Sequence, residues 1–488
     1  MQEVVIGLDI GTTSVKAIAF DLEGKVLAES EQFIETIYPE IAYVEQNPDQ
    51  IEKSTKNVLA EIFSLTKKNR VLTIGISCAM HSLICVDEKG MALSNMLIWS
   101  DGRSSELVQR MDPATKKRVY TKTGTPIHPM SPLLKLMWMK ETDYSPYKQA
   151  SYFMSMKEYI LFKWFGKRIT DYSMASATGL MNIQSLDWDE EALKIAGVER
   201  DQLSEIVPPT EIISSIKESI AQELDWPIDV KLVIGAADGQ LANLGNGAIK
   251  PGEVAISVGT SGAIRQLISG QHVNDNQETF SYAFTENTSI VGGPTNNGGI
   301  ALQWLKDMLE YKGTHEEFLK DADNIGIGAD GLLFIPYING ERAPVWNQNA
   351  RGNFFGLSVT HKRPHLVRAV LEGIVFNLYQ ISQSLEEIAG SPTSISVNGG
   401  LSKSPLWVQI LADVFGKEIQ LADTHHGAAW GAGWTALVAI GKVDSFEAIK
   451  QNIPINQVVQ PNKSNHQQYQ KVFIRYQLLA KDIQKYFE

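Results

Sequence analysis

Two cysteines, Cys78 and Cys85, are all that 488 residues carry, and they share one short segment. So few thiols exclude a disulfide framework, and two without a nearby His pair make a poor zinc site. Buried apolar thiols in a reducing compartment are the expectation. Positive charge is also in deficit, with 44 Lys and Arg against 56 Asp and Glu and a net charge of −12. A sequence-independent nucleic-acid binder carries a basic footprint, so no nucleic-acid partner is expected. Long hydrophobic runs are missing: the uncharged stretch from Gly427 to Gly441 is too short and too rich in Gly to span a bilayer. Glu3 follows the start closely, so no signal peptide and no membrane partner are expected, and the location read from the sequence is cytoplasmic. The Gly-x-x-x-x-Gly-Lys-Ser/Thr phosphate loop is absent as well.

What is present is ordinary for a globular chain, 43% hydrophobic and 20% charged, and long enough for two or three domains. Near the start an apolar run, Val4 to Leu8, reaches Asp9, Ile10 and then Gly11-Thr12-Thr13-Ser14. A second apolar run, Val15 to Phe20, follows at once. The pattern predicts two strands joined by a tight turn, with Asp9 at the tip and Gly-Thr-Thr-Ser as the turn. Backbone N–H groups, the hydroxyls of Thr12, Thr13 and Ser14, and nearby Lys16 suit phosphate oxygens. The Asp9 carboxylate suits a hydrated cation such as Mg²⁺, or it bonds its own turn.

A strand over Val71–Ser77 and a helix over about Asp49 to Lys67, opened by Asn47-Pro48, point to an α/β class. Around residue 250 the pattern restarts. Val254 to Ile264 again reads strand, Gly259-Thr260-Ser261 turn, strand. Before it, Lys231 to Ala237 is an apolar strand that ends at Asp238-Gly239. Two hydroxyl-rich hairpins imply a duplicated domain with a cleft between the copies, divided near Lys250-Pro251-Gly252 into residues 1–249 and 250–488; recurrence of a common turn is the alternative. Downstream, helices are predicted over Gly299–Tyr311 with Trp304, Leu305 and Met308 inward, Leu366–Ala389, Pro405–Phe415, Gly427–Ile440 and His466–Phe487.

Asp238 can take a proton from a hydroxyl that attacks a γ-phosphate, or it can cap a helix. His81, after Met80 at a strand end, is either a packed structural residue or a cleft residue. The stretch Trp99 to Arg103 can touch a polyol or close a turn as an ion pair. Gly399-Gly400 can pass under an adenine or ribose, with Ser402 and Ser404 as hydrogen-bond partners, or form a plain turn.

Taken together these segments resemble the FGGY carbohydrate kinases, relatives of the actin and hexokinase ATPases. The resemblance rests on Leu8 to Ser14, Tyr43 to Pro48, Gly235 to Gly239, Gly259 to Ser261, Gly340 to Pro344, Arg351 to Leu357, and Asn398 to Ser404 with Trp407, Gln409, Ala412 and Asp413. It implies two RNase H-like domains around a cleft, ATP and Mg²⁺, and phosphorylation of a sugar or polyol hydroxyl. By that resemblance Asp238 is the general base, and Asp9 and Asp238 flank the metal. Gly11, Thr12, Thr13, Ser14, Lys16, Gly259 and Thr260 fall on the phosphates, and Gly299, Gly400 and Ser404 border the nucleotide. Met80, His81, Met130, Asp238 and Gly239 fall on the sugar side. A homodimer is left open.

Glycerol kinases carry an Arg-Glu pair where this chain has Met80-His81, and xylulose kinases carry Met-His followed by Gly where it has Ser82. Gly124 to Leu133 looks like the gluconate kinase branch, with Met130 where glycerol kinases place a substrate-contacting Tyr. The order is gluconate, phosphorylated at its 6-position, then xylulose. A gluconate pocket needs donors for a carboxylate, and Lys157 and Arg103 are the candidates. The rival class is an actin-type nucleotide switch.

Overall fold

Glu3–Ile10 (β1) pairs antiparallel with Ser14–Phe20 (β2), which pairs with Val26–Phe33 (β3). This is a computed structural model, and it describes residues 1–488 except 228, 321, 423–425 and 488. Ser14 already belongs to β2, so the turn is Gly11-Thr12-Thr13, and Asp9 lies within β1 opposite Lys16 rather than at the tip. The helix Pro48–Leu65 (α1) starts as its sequence demands: Asn47 accepts the N–H groups of Asp49 and Gln50, and Pro48 needs no donor of its own. Its buried stripe is Ile51, Thr55, Val58, Leu59 and Ile62, at helical spacing. It leads to Arg70–Cys78 (β4), parallel to β1. A helical excursion follows, including Pro132–Glu141 (α2), before Lys231–Ala237 (β5) returns parallel to β4. The first sheet runs Ile212–Ile213, β5, β4, β1, β2, β3.

Asp238–Gly245 (α3) leaves the end of β5. The second half then repeats the plan. Glu253–Val258 (β6) and Gly262–Ser269 (β7) form the second hairpin, and Phe280–Thr285 (β8) and Thr288–Thr295 (β9) extend it. Gly299–Met308 (α4) and Arg363–Ala389 (α5) precede Ser394–Asn398 (β10), which pairs parallel with β6. Pro405–Phe415 (α6), Ile419–Ala422 (β11), Gly427–Ala439 (α7), Ile455–Val459 (β12) and Lys463–Ile483 (α8) complete it. The second sheet runs β8, β9, β7, β6, β10, β11, β12. Both sheets contain the same kernel: a hairpin with a third antiparallel strand on one side and two parallel strands on the other. The recurrence of the Gly-Thr-Ser turn is therefore a recurrence of topology.

α8 lays Tyr469, Phe473 and Tyr476 against Phe376 of α5, as its amphipathic pattern predicts. In α4 Leu305 is buried and Trp304 packs at the core edge. Met308, expected inward, is 51% exposed, because it is the last residue of the helix and has passed the core. Both cysteines are buried and free. Among the described residues no helix is long and apolar enough to cross a membrane.

α7 belongs to the second half of the chain but lies on the first sheet. A Cβ at Gly7 would stand 1.9 Å from the Ala429 carbonyl oxygen, and one at Gly75 1.9 Å from that of Ala432. On its other flank Gly431 meets the Leu241 carbonyl and Gly245 meets that of Gly427, at 2.1 and 2.0 Å for the same added atom. Backbone therefore rests on backbone along this helix, which is why it is built of Gly and Ala. Gly75→Ala should destabilise the protein by roughly 1–3 kcal/mol or more through overpacking. Urea titration checks it; a midpoint shift within error of zero would contradict the close approach.

Candidate active site

The parallel alignment of β1, β4 and β5 brings two carboxylates together. Asp9 is in register with Ser77, and Ala237 with Cys78, so Asp9 and Asp238 stand at the same edge of the sheet, on either side of β4. A kink aims the end of β5: Gly235 holds φ +64°, presses on the Ile76 carbonyl, and coincides with a register shift. Ala237, not Asp238, occupies the N-cap position of α3, so the capping alternative for Asp238 does not hold. Its carboxylate accepts the Gly239 N–H at 2.7 Å. Burial pushes the Asp238 carboxyl above its usual range, with Arg265 pulling the other way. Asp9 is raised to about 6, first by burial and further by Asp238, while the Ser77 hydroxyl, donating at 2.7 Å, and Lys16 oppose the rise.

The two hairpin turns carry exposed Thr13 and Thr260. The N–H groups of Gly11 and Gly259 close their own turns, donating to Ser14 and Ser261 carbonyls. Thr12 accepts the Trp99 indole N–H at 3.2 Å. Ser14 and Lys16 turn to the strand surface instead, where both engage Glu31, at 2.6 and 3.2 Å. The start of α4 docks on the second turn: Gly299 donates to Gly259 and Ile300 to Thr260. Gly400 and Ser404 line a separate cavity of about 660 Å³ with His315, Leu319, Lys403 and Leu406. Ser404 also caps α6, accepting the Trp407 N–H. Gly399 holds φ +98° against the Val258 carbonyl, which ties this cavity to the end of β6.

A cavity of about 330 Å³ lies between the halves. Met80, His81, Trp99 and Met130 line it from the first half, and Arg265, Tyr282 and Arg342 from the second, with Asp238 between them. Gly239 is the gap through which these parts meet: a Cβ there would strike Arg265 Nε at 3.0 Å and Met80 Cε at 3.1 Å. His81 Nδ1 lies 2.8 Å from the Ala177 carbonyl, which can only accept, so Nδ1 carries the proton and Nε2 keeps its lone pair. Burial, then Lys135, drives its pKa down to about 3.

Lys157 and Arg103 do not reach this cavity. Lys157 is bound to Asp171 at 2.7 Å and to the Ala236 carbonyl, inside the core. Arg103 is bound to Asp101 and Glu45 at 2.8 and 2.7 Å and stacks on Tyr43. Of the two readings for Trp99 to Arg103, the ion pair holds for Asp101 and Arg103, while Trp99 lines the cavity. The cavity has other cations, which sequence reasoning missed. Arg265 and Arg342 are half-buried, and the Nε of each has no hydrogen-bond partner among the described residues. Neither makes an ion pair among those residues; Arg342 lies over the Trp99 ring at 4.9 Å. Burial lowers both, Arg342 to about 10; Asp238 opposes the fall at Arg265, and at Arg342 Glu341 opposes it more than the Arg265 repulsion adds to it. Arg342 sat within the Gly340 to Pro344 signature, but nothing local marked its direction, and Arg265 carried no signal at all.

A neutral His81 has a direct consequence. From about pH 6.5 down to about 3 the unfolded chain takes a proton that the folded imidazole refuses, so stability falls as pH falls through that window. In NMR titration its ring carbons should show no inflection between pH 5 and 8; a midpoint near 6.5 would refute the assignment.

Known proteins share this arrangement. The N-terminal domain of the FGGY family of carbohydrate kinases matches residues 4–245, and the C-terminal domain of that family matches residues 254–440. A gluconokinase of Bacillus subtilis (strain 168) is 40% identical over 93% of this chain and 91% of its own. A gluconate kinase from Lactobacillus acidophilus superposes with a TM-score of 0.95 at 34% identity, covering 99% of this chain and 98% of the other. A ligand-bound xylulose kinase from the same organism superposes with a TM-score of 0.96, also at 34% identity, with 99% of each chain covered. With the duplicated sheet kernel and the cleft between its copies, the chain belongs to the FGGY family of carbohydrate kinases.

Proposed function

We propose that the protein phosphorylates D-gluconate at O6 with ATP, in the cleft between a domain of residues 1–249 and one of residues 250–488. The observation that carries the acidic substrate is the guanidinium pair. Arg265 and Arg342 face one cavity without an ion pair among the described residues; Asp238 and Glu341 attract them from a distance, and they repel each other. A sugar acid supplies the missing charge, and charge-assisted hydrogen bonds to its carboxylate hold it in register. A neutral ketose such as xylulose leaves the pair uncompensated. The similarity to gluconokinase agrees with this reading, while the two superposed structures, equal in identity, favour neither sugar.

Asp238 takes the proton of the attacking hydroxyl; its raised affinity for protons suits a base working near neutral pH. His81 Nε2 accepts a sugar hydroxyl, and Met80 and Met130 close the apolar side of the pocket. The two hairpins, through Gly11, Thr12, Thr13, Gly259 and Thr260, hold the phosphates, and Gly299, Gly400 and Ser404 border the nucleoside. Ser14 and Lys16 support the first hairpin through Glu31. Asp9 and Asp238 fit Mg²⁺, which takes one or two carboxylates with phosphate oxygens and water; their mutual repulsion is what a dication relieves. Bound there, the ion neutralises phosphate charge.

Asp238→Asn should lower turnover by roughly 10²–10⁴-fold, the scale of general base catalysis, with ATP binding kept. A coupled ADP-release assay and calorimetric ATP titration check it; wild-type turnover would sink the assignment. Arg265→Met and Arg342→Met should each lower kcat/KM for gluconate by about 10- to 100-fold, as loss of a charged hydrogen bond does, without lowering that for xylulose. Equal losses on both sugars would assign the guanidinium groups to the phosphate instead, and a wild-type preference for xylulose would overturn gluconate.

A further inference from the structure

Lys135 is a fully buried lysine on α2, outside the reacting groups. Asp101, whose field reaches it, is already taken up by Arg103 at 2.8 Å. Its ammonium donates to two backbone carbonyls instead, that of His81 at 2.5 Å and that of Ile98 at 2.8 Å. Each acceptor belongs to a wall of the cavity. His81 lines it directly and follows Met80, and Ile98 precedes Trp99. α2 itself begins just after Met130, a further lining residue.

The His81 carbonyl needs this donor. His81 holds φ +66°, a region that residues other than Gly rarely adopt and that persists only where the surroundings enforce it. Its Nδ1 is anchored to Ala177, so the carbonyl end is the other point that fixes the residue. The Leu83–Leu97 backbone bridge already joins the two segments further along, and Lys135 adds a second tie between them at the end that reaches the cavity.

We propose that Lys135 is a positioning residue for the sugar site: its ammonium ties the His81 segment to the Trp99 segment and so fixes where the imidazole and the indole stand. Burial lowers its pKa to about 7, with Asp101 opposing the fall and Arg103 adding a smaller repulsion, so the two carbonyl bonds hold a proton that the site binds far less tightly than a water-exposed lysine does. Such a group is unfavourable for stability alone and is characteristic of functional sites. The inference rests on reading the cavity as the sugar site.

The test compares wild type with Lys135→Met, which keeps the stem and removes the donors. KM for the sugar should rise roughly 10- to 100-fold, the scale of a displaced substrate-positioning group, while KM for ATP stays within about 2-fold. In Lys135→Ala, n-propylammonium should restore sugar KM and n-propanol should not. An unchanged sugar KM, a parallel rise in ATP KM, or equal rescue by the alcohol would overturn the proposal. So would failure of both variants to fold by circular dichroism, which would make Lys135 a scaffold residue. Wild-type inactivity on gluconate would count against the gluconate reading alone, because the ratio is then measured on the sugar wild type accepts.

Discussion

Holding an ionised group away from bulk water without a partner is strongly unfavourable, and this chain does so on both sides of one cleft. Asp9 and Asp238 stand at one edge of the first sheet with β4 between their strands, and Arg265 and Arg342 share a cavity with Asp238. None of the four makes an ion pair among the described residues, although Arg265 and Asp238 feel one another. Lys135 apart, the buried cations away from the cleft include neutralised ones: Lys157 with Asp171, Arg103 with Asp101 and Glu45, Arg368 with Glu372. Paired charges belong to the scaffold.

That separation needs a stiff frame, and the frame is set by close backbone contact. α7 comes from the second half yet lies on the glycines of β1 and β4 and crosses α3, the helix that Asp238 begins. The cavity walls come from both halves, so opening or closing of the cleft changes the distance between Asp238 and the arginines. Closure that excludes water suits phosphoryl transfer, since water would otherwise compete with the sugar hydroxyl.

The hairpin turns follow a simpler rule. Each hairpin turn is closed by its own glycine N–H, and the second is buttressed by the start of α4. Thr13 and Thr260 are thus presented by rigid turns. The 660 Å³ cavity beside Gly400 adjoins the end of β6 through Gly399, so this cavity and the second hairpin turn share one support.

Local patterns were legible in the sequence because they arise from near neighbours. Strand period, the Gly-Thr-Ser turns, the Asn47-Pro48 helix start and the acids at the ends of apolar runs all depend on residues a few positions apart. The repeat of the hairpin gave two domains and a cleft. Which cations were free was not legible. Arg103 and Lys157 are neutralised by Glu45 and Asp171, contacts made only when the chain has folded back on itself. Arg265 reaches the cavity because of its place in β7 and the packing of that strand opposite Gly239. The left-handed turn of His81 and its tie to Lys135, 54 residues on, are likewise tertiary. The sequence by itself determined the groups available: two hydroxyl-rich turns, two acids at strand ends, a fold class. Only tertiary structure decided which charges lack partners, because pairing is a property of distance in space and sequence spacing does not set it.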